Sequence, residues 1–290
     1  MCPACLSALA AWAAGAGGAG GLATVAVRIG RITRRGSAAP IPTDNPRNTV
    51  MNATPVVSRE EWLAARTNLL AREKELTRLR DALAEERRSL PRVEVEHEYV
   101  FRGPEGPAHL LDLFGPHPQL VVYHFMFDPA WEEGCKSCSY VMDNVAGALA
   151  HLAARDTAFA AVSRAPVEKL EAFRTRMGWT FPWYSSAGTT FNYDYHVTID
   201  EDAGSTTYNY EPTESLARRG ALPMQRGEWP GMSVFVREGD RVFHTYSTYT
   251  RGLDAFMNTY NLLDLTPLGR NEGDGIMRWI RHHDRYATTV

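Results

Sequence analysis

Two cysteines, Cys135 and Cys138, stand two residues apart in the stretch Leu120 to Val145, LVVYHFMFDPAWEEGCKSCSYVMDNV. Thiols at this spacing can reach each other. One can attack a disulfide, and the other can then release the mixed disulfide within the molecule. The attacking species is the thiolate, and a free cysteine with a pKa of about 8.5 is mostly protonated at neutral pH. The first turn of a helix favours the thiolate through its unpaired N–H groups and the positive end of its dipole. Cys-x-x-Cys thiols there commonly fall to about 7 or lower, a shift of about 1.5 units or about 2 kcal/mol. That is the top of what the dipole alone supplies, so hydrogen bonds, the second thiol's among them, must share the work. Lys136 adds favourable charge, while Glu132 and Glu133 oppose it.

The flanking sequence predicts the elements that hold such a pair. Leu120 to Phe127 is rich in β-branched and aromatic residues and suits a buried strand, and Pro129 ends the pairing. After Cys138, Val141, Val145, Leu149 and Leu152 recur at intervals of three and four, a helical period. Strand, turn, dithiol and helix follow in that order.

Other chemistries use the same residues. Half a zinc site needs a second ligand pair, and the other Cys-x-x-Cys, Cys2 and Cys5, lies about 130 residues away in a different kind of segment. A c-type haem needs histidine after the second cysteine, where Ser139 stands. His124 and His244 offer the two thiols a copper or zinc site, as in a metallochaperone, or are satisfied core histidines. Asp128, seven residues before Cys135, can accept the resolving thiol's proton or shape the turn. Trp131 can cover the dithiol or pack in the core. The run Trp179, Phe181, Trp183, Tyr184, Phe191, Tyr193 and Tyr195 reads as core and loop packing, and His282-His283-Asp284 as a solvated tail.

The 290 residues carry a net charge of −3, which gives no bulk electrostatic reason to bind nucleic acid. Four cysteines in two pairs do not make a disulfide scaffold in so long a chain. They fit a reducing compartment with one working dithiol and no cofactor, hence the cytoplasm. Four segments are expected. Residues 1–35 hold an uncharged stretch, Leu6 to Val27, followed by Arg28, Arg31, Arg34 and Arg35, long enough for an inner-membrane anchor with the rest of the chain on the cytoplasmic side. Residues 36–54 form a flexible linker. Residues 55–91 form a long helix opened by a Ser58/Glu61 capping box. Its stripe of Trp62, Leu69, Leu76, Leu79 and Leu83 is interrupted by Arg72 and Glu86, so over 58–88 it packs on its own domain or pairs two copies. Residues 92–290 hold the α/β domain. Strands are expected at Val93 to Phe101, Ala158 to Val162 and Phe181 to Tyr184, with a hairpin around Glu238-Gly239-Asp240. Helices are expected from Pro166 to Gly178 and over Leu253 to Leu263, while Phe191 to Pro230 has no assignable pattern.

The segments VVSREEWLAARTNLLAREKELTR, LVVYHFMFDPAWEEGCKSCSY, VSRAPVEKLEAFRTRMGW and VFHTYSTYTRGLDAFMNTYNLLDLTPLGR resemble a bacterial thioredoxin-like family, domain of unknown function 899, described as predicted dithiol-disulfide oxidoreductases. The resemblance spans roughly Pro55 to Arg270. It implies a thioredoxin-like three-layer α/β/α sandwich preceded by a long helix, with Cys135 as nucleophile and Cys138 as resolving thiol. A protein or small-molecule disulfide or thiol is the implied substrate. Asp128, Trp131, Lys136 and Ser233 form the candidate supporting set, Ser233 because its strand matches the one facing the dithiol in thioredoxins. The chain departs from neighbouring families. Peroxiredoxins carry P-x-x-x-[ST]-x-x-C, where Asp128 and Glu132 stand here, and the thioredoxin cis-proline has at best a displaced counterpart in Pro230. A metal-binding domain and a non-catalytic interaction protein on the same scaffold are the alternatives.

Overall fold

The computed structural model describes residues 54–218, 220, 226–273 and 275–287. The expected anchor and most of the linker lie outside these residues. Among the described residues no helix is long and apolar enough to cross a membrane.

The long helix runs Arg59–Arg88, and its start follows the sequence signal. Ser58 Oγ accepts the Glu61 N–H at 3.2 Å and the Glu61 carboxylate accepts the Ser58 N–H at 2.9 Å. No residue of this helix is buried, and its apolar stripe is 45–62% exposed. The expected packing of that stripe on the domain is therefore absent. A line of single leucines broken by charged residues is narrower than the apolar face of about 100° that packing requires.

Twelve strands are described: β1 Val93–Glu94, β2 Val100–Gly103, β3 Gly106–His109, β4 Gln119–His124, β5 Thr157–Ser163 and β6 Trp183–Ser185 come first. Then follow β7 Thr198–Ile199, β8 Thr207–Tyr208, β9 Glu211–Pro212, β10 Gly227–Glu228, β11 Gly231–Glu238 and β12 Arg241–Tyr249. Eight of them form one sheet in the order β1-β12-β11-β4-β5-β6-β2-β3. β4 pairs with β5, and β5 with β6, in parallel; β11 is antiparallel to both β4 and β12. Parallel strands with an antiparallel pair beside the first of them make a thioredoxin-like sheet.

β4 and β5 are apolar on both faces because both faces are covered. Leu120, Val122, Ala160, Val162 and Phe235 join one core, beneath a 3-10 turn at Asp112–Phe114 and the short helix Phe191–Asp194. Tyr123, Phe159, Ala161 and Met232 face the other core, covered by helices Lys136–Val145, Val167–Arg176 and Asn258–Leu263. The aromatic run divides between them: Trp179, Phe181 and Trp183 fill the second, Phe191 and Tyr195 the first. Gly178 (φ 64°) ends one helix and Gly239 (φ 62°) turns the hairpin, both in the left-handed region where glycine is unstrained.

Two expectations change. Val93 to Phe101 is not one strand but β1 and β2, at opposite ends of the sheet; alternation marks a half-buried strand without naming its partner. Leu253 to Leu263 is not one helix but a 3-10 stretch, Thr250–Phe256, followed by Asn258–Leu263. The unassigned region supplies two short helices and the small pairs β7/β10 and β8/β9.

Two buried titratable groups pull stability in opposite directions. Burial, and then His244, push the His124 imidazole down to about 3 from its usual 6.5. In the unfolded chain it binds a proton from about pH 6.5 downward, so its contribution is present above that pH and lost as pH falls toward 3. Burial lifts Glu228 from 4.5 to about 7, against the opposing pull of Arg164, 2.8 Å away, and Thr198. Its contribution is present below about pH 4.5 and lost as pH rises to 7. A His124→Gln variant keeps a side-chain donor but loses the acid limb. Its unfolding free energy should rise relative to the parent's by about 2 kcal/mol between pH 7 and pH 5, read by urea denaturation. A constant difference across that range would show that His124 is not the acid-sensitive group.

Candidate active site

The chain leaves β4 and continues extended: the Phe125 N–H donates to the Val162 carbonyl and the Ala165 N–H to that of Phe127, both at 2.9 Å. Ser163 Oγ donates to the Phe125 carbonyl at 2.7 Å. A turn follows in which the Asp128 carboxylate accepts the Ala130 N–H at 2.8 Å. Lys169 Nζ clamps the turn by donating to the carbonyls of Pro129 and Trp131, each at 3.0 Å. The loop closes where the Cys135 N–H donates to the Met126 carbonyl at 3.1 Å. Gly134 is required by packing: a Cβ there would sit 2.8 Å from the Phe125 ring and 3.0 Å from that of Phe173.

Cys135 is the N-cap residue of helix Lys136–Val145, and its carbonyl accepts both the N–H and the hydroxyl of Ser139 at 2.9 Å. Cys138 lies in the first turn. Both thiols are buried, 2% and 1% exposed. Cys138 Sγ accepts the Met126 N–H at 3.5 Å. It also engages the Tyr123 hydroxyl, whose own ionisation is pushed well above the usual tyrosine range, first by burial and then by Cys138. Tyr123 therefore stays protonated and able to donate. Cys135 borders a cavity of about 820 Å³, with Trp131 and Lys136 on its own side and Arg278 and His282 opposite.

The opposite wall corrects the reading of the C-terminus as a solvated tail. His282 is buried and its Nε2 lies 2.9 Å from the Gly134 carbonyl, which can only accept, so Nε2 carries the proton. Arg176 joins Glu133 and Asp284, both at 2.8 Å, and Arg285 also meets Glu133. His283 Nδ1 lies 2.8 Å from the Asp143 carboxylate. These partners come from the dithiol loop and its neighbouring helices, which local polarity could not reveal.

The candidate supporting residues separate. Trp131 and Lys136 line the cavity, and Lys136 Nζ donates to the Arg278 carbonyl at 3.3 Å. Asp128 shapes the turn. Ser233 points to the opposite face of the sheet from the dithiol, because Met232 takes the dithiol side. Its hydroxyl joins His124 Nε2 at 2.7 Å and Ser247 Oγ at 2.8 Å, and Ser247 reaches His244 Nε2 at 2.7 Å. His124 stacks there on Tyr195, so strand alternation keeps both histidines from joining the thiols in a metal site. Among the described residues no group of three or more His, Cys, Asp or Glu is placed to hold a metal ion. Peptide bonds among them are trans, that of Pro230 included. Sequence reasoning missed Tyr123, Gly134, Lys169, Arg176 and His282. Tyr123 alone carried a local signal, since alternation from Tyr123 to Phe125 puts both on the face the following helix covers.

Sheet and dithiol together define a thioredoxin-like domain with a Cys-x-x-Cys pair at a helix start. The chain belongs to the family described as "Bacterial protein of unknown function (DUF899)", whose model matches residues 51–286. None of the curated proteins matches it. Among solved structures it is similar to peroxidoxin BcpB from Mycobacterium tuberculosis, at 15% identity over 59% of this chain and 92% of that one, with a TM-score of 0.40. A cysteine mutant of peroxiredoxin Q from Xanthomonas campestris matches at 14% identity over 56% and 90% of the two chains, with a TM-score of 0.36.

Tyr123→Phe keeps the packing and removes the hydroxyl that Cys138 engages; on the expected role of Cys138 as resolving thiol, that sulfur is charged as it attacks. Bonds to charged groups contribute about 1.5–3 kcal/mol, so release of a Cys135 mixed disulfide should slow by about tenfold or more. Rapid-quench mass spectrometry of the mixed disulfide measures this, and an unchanged release rate would remove Tyr123 from the site.

Proposed function

We propose that this chain is a dithiol-disulfide oxidoreductase. The observation that carries the reading is Cys135 at the open end of a helix and on a cavity wall, with Cys138 one turn inward against a backbone N–H and the Tyr123 hydroxyl. Cys135, as thiolate, attacks one sulfur of a substrate disulfide and the other sulfur leaves as a thiolate. Cys138 loses its proton to solvent or a base and attacks Cys135 Sγ, which releases the second substrate thiolate and forms the Cys135–Cys138 disulfide. The substrate gains two electrons and the dithiol loses two; an external dithiol restores the protein. The reading fits a reducing compartment such as the cytoplasm. Asp128 and Glu132, at positions where the peroxiredoxin pattern has Pro and Ser or Thr, argue against peroxidase chemistry of that type.

Trapping tests the roles. Incubated with a disulfide, a Cys138→Ser variant should accumulate a covalent adduct on Cys135, and a Cys135→Ser variant far less. Equal trapping by both would overturn the assignment.

A further inference from the structure

The cavity beside Cys135 is positively charged although the chain as a whole is negative. Four cations line it, Lys136, Arg278, Arg281 and Arg285, against two carboxylates, Glu132 and Glu133. Glu133 is already engaged by Arg176 and Arg285. The Glu132 side chain, at the cavity's margin, is 92% exposed and lies 3.9 Å from Lys169. Among the described residues no ion pair joins a carboxylate to Lys136, Arg278 or Arg281, three of the cations that line the cavity with the nucleophile. Trp131 and Ile280 add apolar lining.

We infer that the substrate is a low-molecular-weight disulfide carrying carboxylates a few bonds from its sulfurs. The inference rests on the oxidoreductase reading and adds the substrate's charge and size. The cavity's volume of about 820 Å³ falls within the range of about 300–1,000 Å³ typical of small-molecule sites. Its lining, cationic and apolar together, suits a ligand with anionic and apolar parts. Guanidinium groups suit the role because their planar forks accept a carboxylate through two parallel hydrogen bonds. The same cations act on the reaction: when Cys135 attacks, negative charge moves from its sulfur to the departing substrate sulfur, inside a cavity whose field stabilises it. Atoms and electrons balance as in the exchange above, with the substrate released as two carboxylate-bearing thiols.

The test uses the reduced, full-length chain and three aliphatic disulfides: dithiodiglycolate (a dianion), hydroxyethyl disulfide (neutral) and cystamine (a dication). Formation of the Cys135–Cys138 disulfide is followed by quench and mass spectrometry. Each rate is divided by that of free dithiothreitol with the same reagent, which removes intrinsic reactivity. At low ionic strength the dianion should outpace the dication by about tenfold or more, and salt should narrow the gap. The double variant Arg278→Gln/Arg281→Gln should slow the dianion far more than the neutral disulfide and so close most of the gap, while thiol titration of the reduced variant shows that the dithiol is intact. Equal normalised rates for all three reagents, a faster reaction with cystamine, or a gap the double variant leaves intact would overturn the inference and spare the oxidoreductase reading. Failure of all three to oxidise the dithiol would overturn both.

Discussion

One backbone contact, the Cys135 N–H on the Met126 carbonyl, governs the geometry of the site. It closes the loop between the end of the central strand and the start of the helix, and so fixes where that helix begins relative to the sheet. Met126 also makes a link in the other direction, with its N–H directed at Cys138 Sγ. Met126 therefore holds the backbone of one cysteine and the sulfur of the other. A neutral backbone hydrogen bond contributes only about 1 kcal/mol net, so the contact gains its authority from what packs around it. The bare backbone of Gly134 lets the Phe125 and Phe173 rings close over the loop, and Lys169 ties down its outer turn.

The parts of this arrangement written locally were legible in the sequence. Cys135, Cys138 and the helix behind them follow from spacing and period. The Ser58/Glu61 cap, the glycine stop at Gly178 and the hairpin at Gly239 follow from short-range backbone chemistry. What was hidden depended on contacts between distant residues. Val93 to Phe101 alternates correctly for a strand, yet its two ends pair with β12 and with β3 and β6. Ser233 sits in the right strand, but its register opposite Val122 turns it away from the thiols. The histidines near the C-terminus look solvated by composition alone. Their partners are the Gly134 carbonyl and Asp143, more than a hundred residues earlier.

That C-terminal segment changes what the dithiol can meet. With it in place, the cysteine faces a cavity to which this segment contributes three arginines and a histidine. The wall is held by Arg176 bridging Glu133 and Asp284, by Arg285 on Glu133 and by His282 on Gly134. Exposed ion pairs contribute about 0–1 kcal/mol each, so none of them secures the segment alone. Ile280 and Met277, both buried among the residues of the dithiol-side core, supply the apolar anchorage that the ion pairs only orient. On the proposed reading, the thiols and most of the charge around them belong to separate pieces of chain. The thiols are fixed by the strand–turn–helix, which also carries Lys136, while the three arginines of the cavity arrive on a wall built from the other end of the domain. If the proposed selectivity holds, a change among those arginines retunes which disulfide is admitted while the Met126 contacts that hold the cysteines stay as they are.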